Sequence, residues 1–493
     1  MSHSNRFHQL GLAELRQLLP ELGPPPPERR VFVNRTLRLE SIRAVGFDLD
    51  WTLADYRRQA LDQLAFEITI DRLIDAHGYP AEIRSLEHRP DFPCRGLMVD
   101  KKAGTVLSMD RHRWVGRAYL GRDRLDRDEL RRLYRYEPIN PASSRFYRVD
   151  TLFELPETAI FSELVEWRRQ RSPQADDYSR LFEDVRSAID WAHAEGPLKS
   201  RILEDPERYL RRDSELISAL ARLALPNRRL FLLTNSDWSY ASRLCRHLFD
   251  GALGPAGSWR DIFDLVVVGA RKPGFFRAAK AFVEVDEGGA EIGQTRIPDW
   301  GGIYRGGALA GLMERLDVDG DHVLYVGDHI YDDMVSSKLE STWRTALIVR
   351  ELEDEVLRSR AAQDEIERLT ALRREMVTVG RSMDHLRDVV QVATSDGDAT
   401  SEELHDTLRE TERRHLALRG SVAGLSETVD RAYPTIWGSL FRQGNSKTLF
   451  ASQLEAFAGL YTARVSNFLY YGSNHYFRVI EDPMTHDRDL PAD

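Results

Sequence analysis

The chain has 493 residues, of which 42% are hydrophobic and 30% charged, which is enough for about three domains with sizeable cores. Its 69 lysines and arginines are outnumbered by 79 aspartates and glutamates, and the net charge of −10 argues against a general nucleic-acid binder. The two cysteines fit neither a disulfide framework nor a zinc site, the N-terminus lacks a signal-peptide pattern, and no apolar run approaches the roughly 18 residues of a membrane span, so a cytoplasmic protein is expected.

The N-terminal residues predict a small separate element. Residues 11–19 have the pattern of a short amphipathic helix, and GPPPPERR at 23–30 is a stiff, polyproline-like spacer. Residues 1–29 are therefore expected to precede the main body of the protein as a helix and a spacer.

Five short apolar runs, flanked by helical patterns, predict strands buried on both faces of a parallel sheet. They predict an α/β core, with a Gly-rich flap inserted at 284–307. Polar side chains cluster at the carboxyl ends of four runs, where such sheets bind ligands, whereas the fifth run lacks a catalytic-looking end. The core is expected at 30–60 and 225–350, with the runs IRAVGFDLD (42–50), RRLFLLTNSD (228–237), FDLVVVGARKP (263–273), HVLYVGDHIYDD (322–333) and RTALIV (344–349).

The rest of the chain predicts three further parts. Residues 61–224 separate the first two strands by far more than one crossover, so they are expected to form an inserted domain. Residues 351–430 carry apolar residues at steps of three and four, which predicts an antiparallel helical hairpin, either packed on the core or binding a partner. The aromatic segment 431–493 is expected to pack on the core or to form an oligomer contact.

The strand ends carry acids that need a cation. Asp48 and Asp50 lie two residues apart, and unpaired carboxylates that close together repel each other. Mg²⁺ prefers a few carboxylates, waters and phosphate oxygens, so a magnesium site with the ligands Asp48, Asp50, Asp328 and Asp333 is predicted. The strand-end residues, in chain order, are Asp48 and Asp50, Thr234 with Asn235 and Ser236, Lys272, and Asp328 with Asp333.

This set predicts chemistry on a phosphate ester. Asp48 would attack phosphorus, and Asp50 would protonate the leaving alcohol and later take a proton from water. Thr234 and Lys272 would bind the phosphate oxygens remote from the metal, with the short donors Asn235 and Ser236 beside them in the substrate site. Each of the four patterns is weak alone, but together, in this order and at strand ends, they are a strong signal.

The order of motifs resembles the haloacid dehalogenase (HAD) superfamily, in which the first aspartate becomes an aspartyl-phosphate and an acid two residues later marks phosphatases. Longer blocks, including RVFVNRTLRLESIRAVGFDLDWTLADY, LLTNSDWSY, YVGDHIYDDMVSSK and WGSLFRQGNSKTLFASQ, are similar to the cytosolic purine 5'-nucleotidase family. The resemblance covers most of the chain, from about residue 30 to about residue 478. It implies a HAD-like Rossmannoid core, a cap at 61–224, Mg²⁺, IMP or GMP as substrate, and a homodimer or homotetramer.

In the inserted segment, Arg186, Asp190 and His193 lie on one helix face. A 6-oxopurine offers an N1–H donor for Asp190 and an O6 acceptor for Arg186, and adenine reverses both groups. Without the resemblance, a solvated Arg–Asp pair above a surface histidine is the alternative. The resemblance implies base reading by Arg186 and Asp190, aromatic stacking at Phe153 and His193, and a basic contact at Lys199.

Several alternatives stay open. Asp150 stands where vertebrate members of the family use an asparagine in an effector site, which argues against ATP-type activation and for a distant, bacterial relative. The substrate could be another phosphomonoester, such as a sugar phosphate or a pyrimidine nucleotide, and the phosphate could pass to a nucleoside instead of water. The third reading is a non-catalytic scaffold that acts through the helical hairpin.

Overall fold

The structure is a computed structural model that describes residues 5–134, 139–172, 174, 177–194, 197–251, 257–396 and 401–481. The predictions for residues 1–4, for the hairpin turn at 397–400 and for residues 482–493 lie outside this description. The elements at the N-terminal end of the chain are α1 (Leu12–Leu18), β1 (Phe32–Val33), β2 (Leu37–Arg38), β3 (Ala44–Phe47) and β4 (Asp55–Tyr56).

A region of helices and an antiparallel sheet follows β4. Its helices are α2 (Arg58–His77), α3 (Arg127–Tyr134), α4 (Leu155–Arg171), α5 (Ser179–Ala194), α6 (Leu198–Glu204), α7 (Pro206–Tyr209) and α8 (Leu216–Ala224). Its strands are β5 (Leu97–Asp100), β6 (Thr105–Met109), β7 (Val115–Leu120), β8 (Asp123–Arg124), β9 (Phe146–Arg148) and β10 (Leu210–Arg211). Five of these strands form one sheet in the order β8–β7–β6–β5–β9, and β10 pairs with β4.

Further strands follow, and most of them belong to a large, mostly parallel sheet, which confirms the predicted α/β class. They are β11 (Arg229–Leu233), β12 (Leu265–Val268), β13 (Phe282–Val285), β14 (Glu291–Thr295), β15 (Ile303–Gly306), β16 (Val323–Gly327), β17 (Arg344–Ile348), β18 (Arg442–Gln443), β19 (Ser446–Lys447), β20 (Leu460–Thr462) and β21 (Tyr476–Phe477). The central sheet has ten strands in the order β1–β20–β17–β16–β3–β11–β12–β15–β13–β14, whereas β18 pairs with β19 and β21 pairs with β2.

The helices of this half are α9 (Trp238–Phe249), α10 (Gly274–Arg277), α11 (Leu309–Leu316), α12 (Ser336–Glu340), α13 (Leu352–Ala361), α14 (Gln363–Asp396), α15 (Ser401–Arg431) and α16 (Leu449–Phe457). The helices α14 and α15 run antiparallel and are bridged by the Arg387–Glu412 and Arg414–Glu375 ion pairs, at 2.9 and 2.8 Å. In the part of the chain that the structure covers, none of the helices combines the length and the apolar character needed to cross a bilayer.

The strand β3 lies in the middle of the sheet, and Gly46 within it leaves room for aromatic rings from both neighbouring strands. It pairs in parallel with β11 on one side and β16 on the other. A Cβ atom at Gly46 would lie 2.3 Å from the ring of Phe231 and 2.9 Å from the ring of Tyr325, so only glycine fits. The residues that follow these three strands therefore meet at one edge of the sheet.

The structure adds detail to two predicted regions, the Gly-rich flap and the C-terminal aromatic segment. Only β13 and β14 of the predicted flap form a hairpin, whereas β15 runs parallel beside β12 as a strand of the sheet. The run IYRG is too short and too mixed to be recognised as a buried strand, although Tyr304 is buried. In the described part of the C-terminal aromatic segment, β20 joins the sheet, and Phe468 and Leu469 are buried.

Candidate active site

Lys272 lies in the loop after β12, at the carboxyl edge of the sheet. Its Nζ is 2.9 Å from Oδ1 of Asp48 and 2.7 Å from Oδ1 of Asp333. It also donates to the hydroxyl oxygen of Tyr325 at 2.9 Å. Burial alone lowers the pKa of Lys272, but the carboxylates of Asp333 and Asp48 outweigh burial and raise this pKa well above its ordinary value, so the ammonium stays charged.

This lysine contacts two members of a cluster of three buried carboxylates. Oxygen atoms of Asp48, Asp328 and Asp333 all lie within 4.8 Å of one another. Burial raises the pKa of Asp48 to about 7; Lys272 opposes the rise, and the carboxylates of Asp333 and Asp50 add to it. Burial, followed by the charges of Asp48 and Asp333, raises the pKa of Asp328 well above its ordinary value. One ammonium therefore does not compensate three buried acids.

The cluster has the donor set of a hard divalent cation. Oδ2 of Asp328 is buried and has no hydrogen-bond partner among the described residues. A buried carboxylate oxygen without a partner is costly unless a cation binds it. Asp48, Asp328 and Asp333 therefore fit Mg²⁺ as ligands, whereas the side chain of Asp50, the fourth predicted ligand, is not part of the cluster.

Both oxygens of Asp50 are held by hydroxyl groups. Tyr56 donates to Oδ1 at 2.5 Å, and Ser236 donates to Oδ2 at 2.7 Å. The hydroxyl of Tyr56 also lies 2.7 Å from that of Tyr240 on α9. These contacts fix Asp50 beside the cluster, in the position of a group that can exchange a proton with a ligand in the cavity.

The residues after β11 have three different surroundings. Thr234 is buried and lines the cavity described below. Asn235 lines the same cavity. Its side chain accepts a hydrogen bond from the backbone N–H of Lys272 at 2.6 Å and donates one to the carbonyl oxygen of Lys272 at 3.2 Å. Ser236, predicted to bind substrate, is buried and donates to Asp50 instead.

A cavity of about 270 Å³ joins the strand ends to the inserted region. The core contributes the polar residues Asp48, Asp50, Thr234, Asn235, Lys272, Asp328, His329, Asp332 and Asp333. The inserted region contributes Thr151, Phe153, Glu154, Glu157, Arg186, Ile189, Asp190 and His193. Two predicted substrate residues, Ser236 and Lys199, do not line it.

Arg186 on α5 is already engaged in the cavity wall. Its Nη1 donates to Oε2 of Glu157 at 2.8 Å and to the hydroxyl of Tyr147, and its Nε lies 3.3 Å from Oδ2 of Asp190. Burial raises the pKa of Glu157 to about 8, and Arg186 opposes that rise. Oε1 of Glu157 is buried and has no hydrogen-bond partner in the described part of the protein.

The two aromatic candidates do not form a sandwich. The rings of Phe153 and His193 lie 5.4 Å apart at an interplanar angle of 77°. A base between two rings needs about 7 Å, twice an ordinary contact distance, so in this arrangement a base can stack on one ring only. Burial lowers the pKa of His193 to about 4, which makes this ring neutral at pH 7. Lys199 lies outside the cavity and pairs with Asp237 at 3.5 Å.

Among the side chains that sequence reasoning missed, three contact predicted site residues: Tyr325 contacts Lys272, Tyr56 contacts Asp50, and Glu157 contacts Arg186. Tyr325 is a hydroxyl-bearing residue in an otherwise aliphatic buried strand, and that exception was the available signal. Tyr56 lies eight residues after Asp48 on a two-residue strand, and Glu157 is buried in the first turn of α4. Nothing in the local pattern of either residue indicates its partner.

The sheet and its edge define a class of protein before any comparison. A mostly parallel sheet that brings an aspartate, a threonine, a lysine and two further acids to one edge is consistent with the HAD superfamily. The particular family follows from the whole sequence: residues 31–489 match the model of the 5' nucleotidase family, and the chain belongs to that family.

Two curated relatives extend over almost the full chain. It is 30% identical over 501 residues to the rat "5'-nucleotidase domain-containing protein 2", covering 97% of this chain and 85% of the relative. It is also 30% identical over 509 residues to the human protein of the same name, covering 100% of this chain and 91% of the relative. Family membership supports hydrolysis of a nucleoside monophosphate, a phosphoric monoester.

Proposed function

We propose that this protein is a Mg²⁺-dependent 5'-nucleotidase that hydrolyses purine nucleoside 5'-monophosphates, with IMP and GMP preferred. The observation that carries the proposal is the continuity of one cavity, from Asp48 and Lys272 at the strand ends to Arg186 and Asp190 on α5. A phosphate bound at the first pair leaves the base facing the second. The inserted region would then act as the cap that reads the base.

The strand-end residues support an aspartyl-phosphate mechanism. Asp48 attacks phosphorus, while Lys272 and Thr234 bind the non-bridging phosphate oxygens and neutralise the charge that develops on them. Asp50, held by Tyr56 and Ser236, gives a proton to the leaving 5'-oxygen and then takes one from the water that hydrolyses the intermediate. Bound by Asp48, Asp328 and Asp333, Mg²⁺ would supply Lewis-acid stabilisation of the phosphoryl group and cancel the repulsion among these acids.

The wall of α5 supports a preference for 6-oxopurines. Asp190 is more than half exposed, lines the cavity and can accept from N1–H, and Arg186 lines the same cavity. Adenine offers N1 as an acceptor and an amino group as a donor, so both protein groups would face like partners.

Phosphate release from a nucleotide panel tests the proposal. IMP, GMP, AMP and CMP are compared with a sugar phosphate, with Mg²⁺ and with EDTA, and Asp48→Asn serves as the inactive preparation. Metal-dependent release that is greatest from IMP or GMP is expected. If release is greatest from CMP or the sugar phosphate, that compound class is the substrate and the proposed purine preference is wrong. If no compound gives metal-dependent release, the result favours the non-catalytic scaffold.

The same protein preparation also serves to test phosphate transfer to a nucleoside and the oligomeric state. A nucleoside added as second substrate shows whether phosphate passes to it instead of to water. Sedimentation velocity tests the proposed homodimer or homotetramer. The cytoplasmic location and the bacterial origin stay predictions from the sequence.

A further inference from the structure

The end of β17 contacts both loops that carry the acids, although its sequence has no catalytic appearance. Arg350 and Glu351 follow this strand, at the same edge of the sheet as Lys272. We propose that Arg350, and Glu351 acting through Arg95, are positioning residues that fix the loops of Asp48 and Asp328 at the spacing a divalent cation requires. The inference rests on the proposed function, because it presupposes that these acids bind a metal.

Arg350 holds the loop that follows Asp48. Its Nε donates to the carbonyl oxygen of Trp51 at 3.1 Å, and its Nη2 donates to that of Thr52 at 2.9 Å. Its Nη1 also lies 3.4 Å from Oδ2 of Asp55. Trp51 has a φ of +58°, a left-handed conformation that is unfavourable for a bulky side chain and persists only where surrounding contacts determine it. Arg350 supplies such contacts from outside the loop.

Arg95 holds the loop that carries Asp328. Its side chain is 0% exposed, and its Nη1 donates to the carbonyl oxygen of Asp328 at 3.0 Å. The other edge of the guanidinium forms a bidentate ion pair with Glu351: Nε donates to Oε1 at 2.9 Å, and Nη2 donates to Oε2 at 2.5 Å. Glu351 therefore orients Arg95, and Arg95 orients the backbone of a predicted metal ligand.

Arg95 reaches this place because the inserted region approaches α16 closely. Gly96 has a φ of +81°, and a Cβ atom on it would lie 2.5 Å from Cβ of Phe450, so only glycine allows the approach. The guanidinium carbon of Arg95 then lies 5.1 Å from the centroid of the Phe450 ring. The inserted region, the sheet and α16 thus meet at one buried cation next to the acids.

A metal-positioning role makes a different prediction from a purely structural one. Groups that orient metal ligands without touching the metal typically change metal affinity or activity by about 10- to 100-fold when they are replaced. A purely structural ion pair would lower stability, but in variants that remain folded it would leave metal affinity unchanged. Metal affinity measured without substrate therefore separates the two roles.

The experiment measures Mn²⁺ binding by electron paramagnetic resonance of the free ion, in the full chain without substrate. Arg95→Lys, Glu351→Gln and Arg350→Lys are compared with wild type. The matched control is Arg145→Lys, because Arg145 forms a two-point pair with Asp100 at the same distances of 2.9 and 2.5 Å. Asp100 is buried and lies on β5, where it accepts from Tyr134 and from a backbone N–H of its own hairpin.

In the three test variants we expect the Kd for Mn²⁺ to rise by about 10- to 100-fold, with a change below about twofold in the control. The Mg²⁺ concentration for half-maximal phosphatase activity should rise in parallel, and saturating Mg²⁺ should restore most of kcat. Circular dichroism identifies the folded variants; if Arg95→Lys does not fold, Glu351→Gln and Arg350→Lys decide the matter.

The outcomes separate this inference from the proposed function. Wild-type binding of Mn²⁺, with an unchanged Kd in the folded test variants, overturns the positioning role alone. Wild-type protein that binds no Mn²⁺ at millimolar concentration overturns the proposed metal site and this inference together. An equal rise of Kd in Arg145→Lys would also overturn the inference, since it would show a general effect of weakened ion pairs.

Discussion

The Nζ atom of Lys272 lies 2.7 Å from Oδ1 of Asp333, and the side chains are 2% and 1% exposed. The two residues are 61 positions apart and follow different strands of the sheet. This pair, with Asp48 on the other side of the lysine, places one fixed positive charge among the acids of the site. The stability of the protein and its proposed chemistry therefore depend on the same contact.

Replacing the lysine by an apolar residue tests that dependence. In metal-free buffer, Lys272→Met should lower the free energy of unfolding by about 3–5 kcal/mol, because it leaves buried carboxylates without a partner. Urea unfolding measures the change, and added Mg²⁺ should restore part of it. Lys280→Met, at an exposed position, is the control and should change the unfolding free energy by less than about 0.5 kcal/mol. Equal stability of the two variants would contradict the role of the buried pair.

Asp190→Asn tests reading of the base. We expect kcat/KM for IMP and GMP to fall by about tenfold or more, because an acceptor for N1–H is weakened, while kcat/KM for an aryl phosphate stays within about twofold. Steady-state kinetics on both substrates measure the difference. The control is Asp184→Asn on the same helix, whose carboxylate pairs with Arg180 at 2.9 Å. Equal losses on both substrates would exclude a base-reading role for Asp190.

Tyr56→Phe tests the hydroxyl contact to Asp50. Without it, proton donation to the leaving group should weaken, and kcat for a nucleotide should fall by about tenfold. An aryl phosphate with an acidic leaving group needs little protonation, so its hydrolysis should fall much less. Tyr79→Phe removes a comparable hydroxyl contact, to Asp184 at 3.1 Å in the inserted region, and should leave both substrates unaffected. A uniform loss would show that Tyr56 acts on the fold and not on proton transfer.

Asp62 on α2 makes the stability depend on pH. Burial raises the pKa of Asp62 to about 6, against the opposing effect of Arg58. The folded state therefore binds more protons than the unfolded state between pH values of about 4 and 6, and this contribution is present below that window and lost as the pH rises through it. Asp62→Asn should remove up to about 3 kcal/mol of this pH dependence, measured by urea unfolding at several pH values. Asp71→Asn, an exposed position on α2, should keep the wild-type profile.

Much of the central sheet could be predicted because its signal is local. The runs around β3, β11, β12, β16 and β17 are apolar over four or five residues and end in turn residues, which is what a strand buried on both faces requires. The strand β15 escaped prediction, since its burial depends on its place between β12 and β13 in the sheet and not on its own composition. The segment β20 joins the same sheet more than 100 residues after β17, and no local pattern indicates such a partner.

The sequence by itself determined which chemical groups stand at the strand ends. A residue within a few positions after the end of a buried parallel strand lies at the carboxyl edge of the sheet, so Asp48, Thr234, Lys272 and Asp328 could be placed there from the sequence. Only the tertiary structure decided their hydrogen-bond partners. Ser236 donates to Asp50, Asn235 accepts from the backbone of Lys272, and Arg95 donates both to Glu351 and to the carbonyl oxygen of Asp328. Periodicity is a property of neighbouring residues, whereas contacts across 37 to 256 positions depend on how whole elements pack.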